Sequence, residues 1–306
     1  MTMNVGKILV TGAAGLIGFS LAARLQASGR NVIGMDMVAP EEDFCFPFIA
    51  GDLSDVHKLF DALDRGVEGI IHCGAVSGPM LFLENPRAIV ESNLLGSANI
   101  FEAARIRDLR VVYCSSTSAY GDTPKGLELC TEDTALNALD VYGATKAGGD
   151  ILARAYAAQH GLQAVALRFS WVYGPRRRTD CLIREMLLAA LKGCASEYAF
   201  GADFARQYVY IEDVVEACIK AYDASGVDGR AFNITAGTRS SFDEIANAVR
   251  VAVPGAQIVN QGIEGADLNH APMDISAAKD ALGYVPKWPL VRGVGAYADW
   301  LRGQDN

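Results

Sequence analysis

Residues 10–18 read Val10-Thr11-Gly12-Ala13-Ala14-Gly15-Leu16-Ile17-Gly18, and they connect a predicted strand to a predicted helix. The apolar run 7–10 predicts the strand, and the periodic segment from Leu16 to Ser28 predicts the helix. Glycine permits a tight turn and lets backbone N–H groups approach a pyrophosphate at the helix N-terminus. The pattern therefore predicts a dinucleotide-binding turn, with contacts from Gly12, Gly15, Leu16, Ile17 and Gly18. The alternative is a plain tight turn between strand and helix.

Strands alternate with helices along the first 170 residues. Predicted strands cover 31–35, 69–72, 110–114 and 164–169, and predicted helices cover 54–63, capped by Ser54, then 86–107 and 141–160. This alternation predicts βαβ units and a parallel sheet covered on both faces, which is an α/β fold. The second half is less regular. Helices are predicted over 180–192, from 212, over 241–251 and from 287, and strands over 206–211 and 231–235.

Composition and charge limit the classes of protein to which the chain can belong. The chain has 306 residues, of which 51% are hydrophobic and 21% charged, a balance typical of globular proteins. A formal net charge of −9 argues against a general nucleic-acid binder. Seven cysteines without a CxxC pair and four scattered histidines predict no metal site and reduced thiols in a cytoplasmic protein. We see no signal peptide and no apolar run long enough for a membrane span.

An acidic residue ends the second predicted strand. Asp36 follows Gly18 by 18 residues, where a carboxylate accepts hydrogen bonds from the ribose hydroxyls of an adenosine. A carboxylate there repels a 2′-phosphate, so NAD is favoured over NADP; the alternative is a surface acid in a turn. Asp52 and Leu53 follow the next apolar stretch and are placed near the adenine by position alone.

Tyr142 and Lys146 are four residues apart on a predicted helix and therefore share one face. A lysine ammonium one turn away stabilises phenolate and lowers the pKa of the phenol, which makes tyrosine usable as an acid/base group. Ser116 directly follows the fourth predicted strand, at the edge of a parallel sheet where ligands bind. The alternatives are an exposed helix pair and a serine-rich loop that satisfies its own backbone.

Together these features resemble the extended short-chain dehydrogenases/reductases, also named the NAD-dependent epimerase/dehydratase family. The resemblance spans essentially the whole chain. It comprises Thr11-Gly12-x-x-Gly15-x-x-Gly18, Asp36, Asp52-Leu53, His72-Cys73-Gly74-Ala75, Asn93, Ser116 before Tyr120-Gly121, Tyr142-x-x-x-Lys146, Leu167-Arg168, Val172-Tyr173-Gly174-Pro175 and Arg206 to Asp213.

The resemblance implies a Rossmann-type doubly wound sheet that binds NAD over residues 1–170. Residues 171–306 would mainly form a smaller substrate-binding lobe, with segments near 206–235 returning to the first domain. It implies that Tyr142 takes the proton of a secondary alcohol, Lys146 tunes Tyr142, and Ser116 binds the substrate oxygen. The further residues it implies are Cys73, Gly74, Ala75, Asn93 and Phe169 for the cofactor, and Ser77 and Thr117 for the substrate. It also implies a homodimer through the helices 86–107 and 141–160.

Departures from the family pattern bear on the substrate. Trp171 stands where nucleotide-sugar enzymes of the family usually have an asparagine that binds the diphosphate, and Glu264 to Asp267 place an acid where a second phosphate-binding arginine is usual. Arg206 does match a phosphate-contacting arginine. Trp171 offers a stacking face for a sugar or is a core aromatic, and Arg177, within Arg176 to Arg178, clamps a carboxylate or phosphate or is a solvated loop residue. Ser116 lacks a following Asp-Glu pair, so a dehydratase is not expected.

We therefore carry three hypotheses. The first is an NAD-dependent oxidoreductase, either a dehydrogenase or an epimerase, acting on a secondary hydroxyl of a sugar or sugar acid. The second is a nucleotide-diphosphate-sugar 4-epimerase with tightly held NAD. The third is a non-catalytic dinucleotide-binding protein, against which the set of Ser116, Tyr142 and Lys146 argues.

Overall fold

The computed structural model describes residues 6–41, 43–201, 204–262 and 271–304. Strands and helices alternate through the first half of the chain, as predicted. The elements there are β1 (Lys7–Thr11), α1 (Leu16–Ala27), β2 (Asn31–Asp36), β3 (Phe48–Ala50), α2 (Val56–Leu63), β4 (Val67–His72), α3 (Pro86–Ile89), a π-helical turn (Val90–Leu95), α4 (Gly96–Arg107), β5 (Arg110–Ser116), a 3-10 turn (Thr117–Tyr120), α5 (Val141–His160) and β6 (Ala164–Phe169).

The second half contains shorter strands between helices. Its elements are β7 (Trp171–Tyr173), α6 (Leu182–Leu191), β8 (Ser196–Tyr198), β9 (Ala205–Arg206), β10 (Tyr208–Tyr210), α7 (Ile211–Asp223), β11 (Ala231–Ile234), β12 (Ser240–Ser241), α8 (Phe242–Ala252), β13 (Ile258–Asn260), α9 (Ser276–Leu282) and α10 (Leu290–Gln304). None of the helices in the described ranges is long and apolar enough to cross a bilayer.

One parallel sheet of seven strands organises the described residues, in the order β11-β6-β5-β4-β1-β2-β3. The order reverses around β1, so crossovers place helices on both faces, and this is the predicted Rossmann-type doubly wound α/β fold. An apolar layer covers each face: one includes α1, α6, α7 and the later helices, and the other includes α2, α4 and α5. β11 comes from the second half of the chain and pairs with β6, and α7 packs against α1.

Three local predictions need correction. Ser54 does not cap α2; Asp55 does, because its carboxylate accepts a hydrogen bond from Lys58 N at 3.2 Å, while Ser54 N donates to Asp52. The predicted helix 86–107 is interrupted by the π-helical turn at 90–95. The predicted strand 206–211 is divided at Gln207, because β9 pairs with β12 whereas β10 pairs with β7, and Ile211 already belongs to α7.

Candidate active site

The glycine-rich turn after β1 is shaped by close backbone contacts. Gly12 has φ +67°, and a Cβ atom there would lie 2.6 Å from Gly74 N. A Cβ atom on Gly18 would collide with the carbonyl oxygen of Gly12. No side chain caps α1, whose N-cap is Gly15, so the first N–H groups of the helix remain available. Such a helix N-terminus favours an anion, and this cradle fits a dinucleotide pyrophosphate.

Asp36 lies beside this turn, at the end of β2. Its Oδ2 accepts a hydrogen bond from Ala14 N at 2.9 Å, and its Oδ1 accepts one from Met37 N at 2.7 Å. The carboxylate is therefore held against the glycine-rich turn, where a ribose next to the pyrophosphate would lie. Asp52 is exposed. The Leu53 side chain reaches the space in front of Gly74, so Leu53 also borders this edge of the sheet.

The segment after β4 closes the other side of the cradle. Gly74 N donates to Thr11 Oγ1 at 3.2 Å, which ties this segment to β1. Asn93 is buried in the π-helical turn; its Oδ1 accepts from Val76 N at 2.7 Å, and its Nδ2 donates to Val76 O and to Thr145 Oγ1. Asn93 thus fixes the backbone next to Ala75 and links it to α5. Any role of Asn93 in cofactor binding passes through this backbone, as the amide is already satisfied.

Helix α5 carries the tyrosine and the lysine. Asp140 caps its N-terminus by accepting a hydrogen bond from Gly143 N at 2.7 Å, so the helix begins one residue before Tyr142. The Tyr142 phenol is buried and hydrogen-bonds to the hydroxyls of Ser116 and Ser77. The structure therefore brings Ser77, Ser116 and Tyr142 together, although they are spread over 65 positions of the sequence. They meet beyond the carboxyl ends of β4 and β5.

Lys146 lies one turn further along and points at the sheet. Its Nζ donates to Cys114 O at 2.8 Å and lies 5.1 Å from the centroid of the Tyr113 ring and 6.0 Å from that of the Tyr142 ring. Burial lowers the pKa of Lys146. The carbonyl of Cys114 is a positioning group that the sequence analysis missed, because a main-chain acceptor leaves no trace in residue identity.

Burial and polar neighbours act in opposite directions on the pKa of Tyr142. Burial raises the pKa of Tyr142 above its ordinary value, and hydrogen bonds from Ser116 and Ser77 and then the charge of Arg177 lower it. In the free chain the phenol is therefore protonated at neutral pH, and groups that favour phenolate surround it.

A buried ionic network supports α5 from behind. Arg168 Nε donates to Asp150 Oδ2 at 2.6 Å, and its Nη1 donates to Tyr120 Oη at 2.7 Å and to Glu132 O at 3.0 Å. Tyr120 Oη in turn donates to Asn233 Oδ1 at 2.8 Å. These bonds join α5, β6 and β11, so the catalytic helix is fixed to strands from both halves of the chain. Phe169, at the end of β6, is buried within this sheet edge.

The other predicted substrate residues, apart from Thr117, belong to the segments that follow β6. Trp171 is half-buried in β7, and the guanidinium carbon of Arg206 lies 4.5 Å from its ring centroid and 5.1 Å from that of Phe204. Arg177 donates to the carbonyl oxygens of Val172, Thr179 and Asp180 at 3.1–3.4 Å. Thr117 is buried directly after Ser116. The predicted acidic segment 264–267 lies outside the described residues.

Comparison with known protein families shows the family to which the chain belongs. The model of the NAD dependent epimerase/dehydratase family matches residues 8–235, which is about three quarters of the chain. The chain belongs to this family. Its cofactor is therefore NAD, and the cradle at Gly12 and Gly18, with the carboxylate of Asp36 beside it, fits that cofactor.

Full-length members of the family show the same similarity. A UDP-glucose 4-epimerase of Mycolicibacterium smegmatis is 29% identical, with 97% of this chain and 98% of the relative covered. UDP-glucuronate 4-epimerase 3 of Arabidopsis thaliana is 28% identical, covering 98% and 77% of the two chains. A solved structure of UDP-glucuronic acid 4-epimerase from Bacillus cereus, in complex with UDP-glucuronic acid and NAD, aligns with a TM-score of 0.84 at 25% identity, covering 97% and 99%.

Proposed function

We propose that this member of the NAD-dependent epimerase/dehydratase family oxidises a secondary hydroxyl of a sugar or sugar acid to the carbonyl, or reduces that carbonyl back to the hydroxyl. The observation that supports it is the hydrogen-bonded group of Tyr142, Ser116 and Ser77 beside Lys146, at the carboxyl ends of β4 and β5. A protein that only binds a dinucleotide has no use for a phenol held by two hydroxyls beside a buried ammonium.

The proton chemistry is assigned to these side chains. NAD supplies the hydride acceptor when it is bound. Ser116 Oγ holds the substrate oxygen, and Tyr142 Oη accepts the hydroxyl proton as the carbonyl forms. While Ser116 binds the substrate oxygen, the Ser77 hydroxyl donates a hydrogen bond to the phenolate, and the positive charge of Arg177 favours it as well. Lys146, held by Cys114 O, orients the cofactor ribose and keeps a positive charge below the site.

Arg206 is the group best placed to bind an anionic part of the substrate. Its guanidinium lies over Trp171 and next to Phe204, which fixes its plane and limits the rotamer entropy lost on binding. Arg177 donates to three backbone carbonyls, which hold it against its own loop. One stacked arginine suits a single carboxylate or phosphate better than a diphosphate, so we favour a sugar acid or a similar small sugar.

The second candidate is a nucleotide-diphosphate-sugar 4-epimerase. The observation that favours it is that full-length relatives carry this activity, including the UDP-glucose and UDP-glucuronate 4-epimerases described above. In this case Arg206 would contact the diphosphate, and the aromatic face of Trp171 would replace the amide usual in the family.

One assay separates the candidates. The purified protein is incubated with NAD and a panel of free sugars, uronic acids, aldonic acids and nucleotide sugars, and absorbance is followed at 340 nm. Accumulation of NADH with one free substrate supports the first candidate. Conversion of a nucleotide sugar to its epimer without net NADH, detected by chromatography, supports the second. The Tyr142→Phe variant is the control, and turnover by that variant would contradict both.

We also propose a homodimer through the helices 86–107 and 141–160. Their outer faces expose apolar side chains, including Val90, Leu95, Ile106 and Ile151, which are 40–51% exposed. The test is light scattering after gel filtration. Leu95→Glu with Ile151→Glu is expected to give monomers. Val285→Glu changes an equally exposed residue outside these helices and is expected to leave the dimer intact. A monomeric wild type would contradict the proposal.

We place the enzyme in the cytoplasm, where its thiols stay reduced. Cys45 and Cys194 are exposed and Cys73 is partly exposed, and each is a free thiol. An enzyme that keeps such thiols suits a reducing compartment.

A further inference from the structure

Two cysteines face each other beside the cofactor cradle. His72 and Tyr113 are paired in the register of β4 and β5, and Cys73 and Cys114 are the next residues on the two strands. Their Sγ atoms are 3.4 Å apart. Neighbouring strands lie about 4.8 Å apart, which is within the range of Cα separations that a disulfide can bridge. The backbone therefore already holds this pair near bridging geometry.

The two thiols differ in access and environment. Cys114 is almost fully buried, whereas Cys73 is partly exposed at the sheet edge. Cys218 of α7 also hydrogen-bonds to Cys114, and Lys146 and Asp36 are the charges that act on the pair. The hydrogen bond to Cys114, then burial, raise the pKa of Cys73, whereas hydrogen bonds from Cys218 and Cys73 lower the pKa of Cys114. An oxidant thus reaches Cys73 first, and Cys114 is the better resolving nucleophile.

We propose that Cys73 and Cys114 form a reversible intramolecular disulfide with a hydroperoxide as oxidant, and that bound NAD prevents it. The Cys114 thiolate accepts the proton of Cys73 as the Cys73 sulfur attacks one peroxide oxygen; an S–O bond forms, the O–O bond breaks, and hydroxide leaves and is protonated to water. The Cys114 sulfur then attacks Cys73, the S–S bond forms, the S–O bond breaks, and a second water leaves. Two thiols lose two electrons, and one hydrogen peroxide becomes two waters.

The bridge would disturb the cofactor site through two contacts. Closing 3.4 Å to the roughly 2.05 Å of a disulfide moves both sulfurs and their strands. Cys73 precedes Gly74, whose N–H is bound to Thr11 and whose backbone touches Gly12. Cys114 carries the carbonyl that holds Lys146. The oxidised protein is therefore expected to bind NAD at least tenfold more weakly, which links the redox state of the pair to cofactor occupancy.

The test uses a Cys45→Ser/Cys194→Ser background, which removes two exposed thiols outside the pair. The NAD-free protein is treated with hydrogen peroxide, and intact mass and peptide maps are recorded. We expect a loss of two hydrogens, a Cys73–Cys114 cross-link, and recovery by dithiothreitol. At NAD ten times above its Kd, the rate of cross-linking should fall about elevenfold, since only free protein reacts. Calorimetry before and after oxidation then measures NAD affinity without an assay of turnover.

Two further variants test which cysteines form the cross-link. Adding Cys73→Ser to this background should abolish the cross-link, whereas adding Cys218→Ser should retain it. A cross-link between Cys114 and Cys218, stepwise oxygen addition to Cys73 without a cross-link, or an equal rate with and without NAD would overturn the proposal. These outcomes do not depend on the substrate, so they are distinguishable from a failure of the proposed function.

Discussion

The cofactor edge and the substrate edge of the site are built by different means. At the cofactor edge, around Gly12, Gly18 and Gly74, the geometry belongs to the backbone, and glycine is needed at Gly12 and Gly18 because a Cβ there would collide with backbone atoms. At the substrate edge, around Trp171 and Arg206, the geometry belongs to long side chains packed on one another. Backbone geometry follows from a short motif, whereas side-chain geometry depends on distant neighbours. Residue identity therefore predicts the first edge far better than the second.

The largest expected effect lies where the two edges meet, at Tyr142. Replacing it with phenylalanine removes the proton acceptor but keeps the ring that packs beside Lys146. We expect kcat to fall about 1,000-fold, within the range usual for loss of general acid/base catalysis. NAD affinity, measured by calorimetry, should change less than about twofold. A variant that turns over at the wild-type rate would show that another group moves the proton.

Gly18→Ala tests the cofactor edge alone. The added methyl group would collide with the Gly12 carbonyl, so the turn must open, and we expect NAD to bind about 100-fold more weakly, a loss of about 2.7 kcal/mol. At Gly15 a Cβ would lie 3.2 Å from the same oxygen, so Gly15→Ala should cost less. Gly295→Ala is the control, since nothing lies within 4 Å of its added carbon. If a folded Gly18→Ala protein bound NAD with wild-type affinity, the backbone of this turn would not determine the geometry of the cofactor edge.

Much of the fold was predictable because its signals are local. Strand–helix alternation, the glycine spacing and the four-residue step from Tyr142 to Lys146 each act within one or two elements, and the parallel sheet and α5 are confirmed. Capping was less predictable: Ser54 and Asp55 are both good caps, and which one acts depends on a turn at Asp52 that uses Ser54 N.

Hydrogen bonds between polar groups that are far apart in the sequence could not be predicted from it. Arg168 was recognised only as part of a motif, yet it ties Asp150 to Tyr120 across the sheet. Likewise, burial of the Tyr142 phenol, which raises its pKa, and the Cys114 carbonyl that holds the Lys146 ammonium were not visible in residue identity; the effect of Lys146 on Tyr142 stays a prediction. The roles of Trp171, Arg177 and Arg206 toward a substrate stay predictions.

A smaller effect is expected from Ser116→Ala, measured as a pH profile. The serine hydroxyl donates a hydrogen bond that lowers the pKa of Tyr142, because it favours the ionised phenol. Its loss raises that pKa, so the ascending limb of kcat/KM for alcohol oxidation should move to higher pH. Ser77→Ala should move the limb in the same direction by less, since its hydrogen bond lowers the pKa less. Ser28→Ala, at the far end of α1, should leave the limb in place; an unmoved limb in Ser116→Ala would separate Ser116 from Tyr142.

The smallest expected effect comes from Trp171→Asn, which makes the substrate edge resemble the nucleotide-sugar enzymes. The new amide adds a donor, but the substitution also removes the ring on which Arg206 lies, 4.5 Å away. These changes oppose each other, so affinity for UDP-glucose or UDP-glucuronic acid should improve less than about threefold, under 1 kcal/mol. Trp171→Phe keeps an aromatic face for Arg206 and should leave that affinity unchanged. A gain of tenfold or more in Trp171→Asn would mean that one side chain had excluded the diphosphate. Residue identity would then predict the substrate edge as well as it predicts the cofactor edge, because Trp171 alone would decide the substrate class.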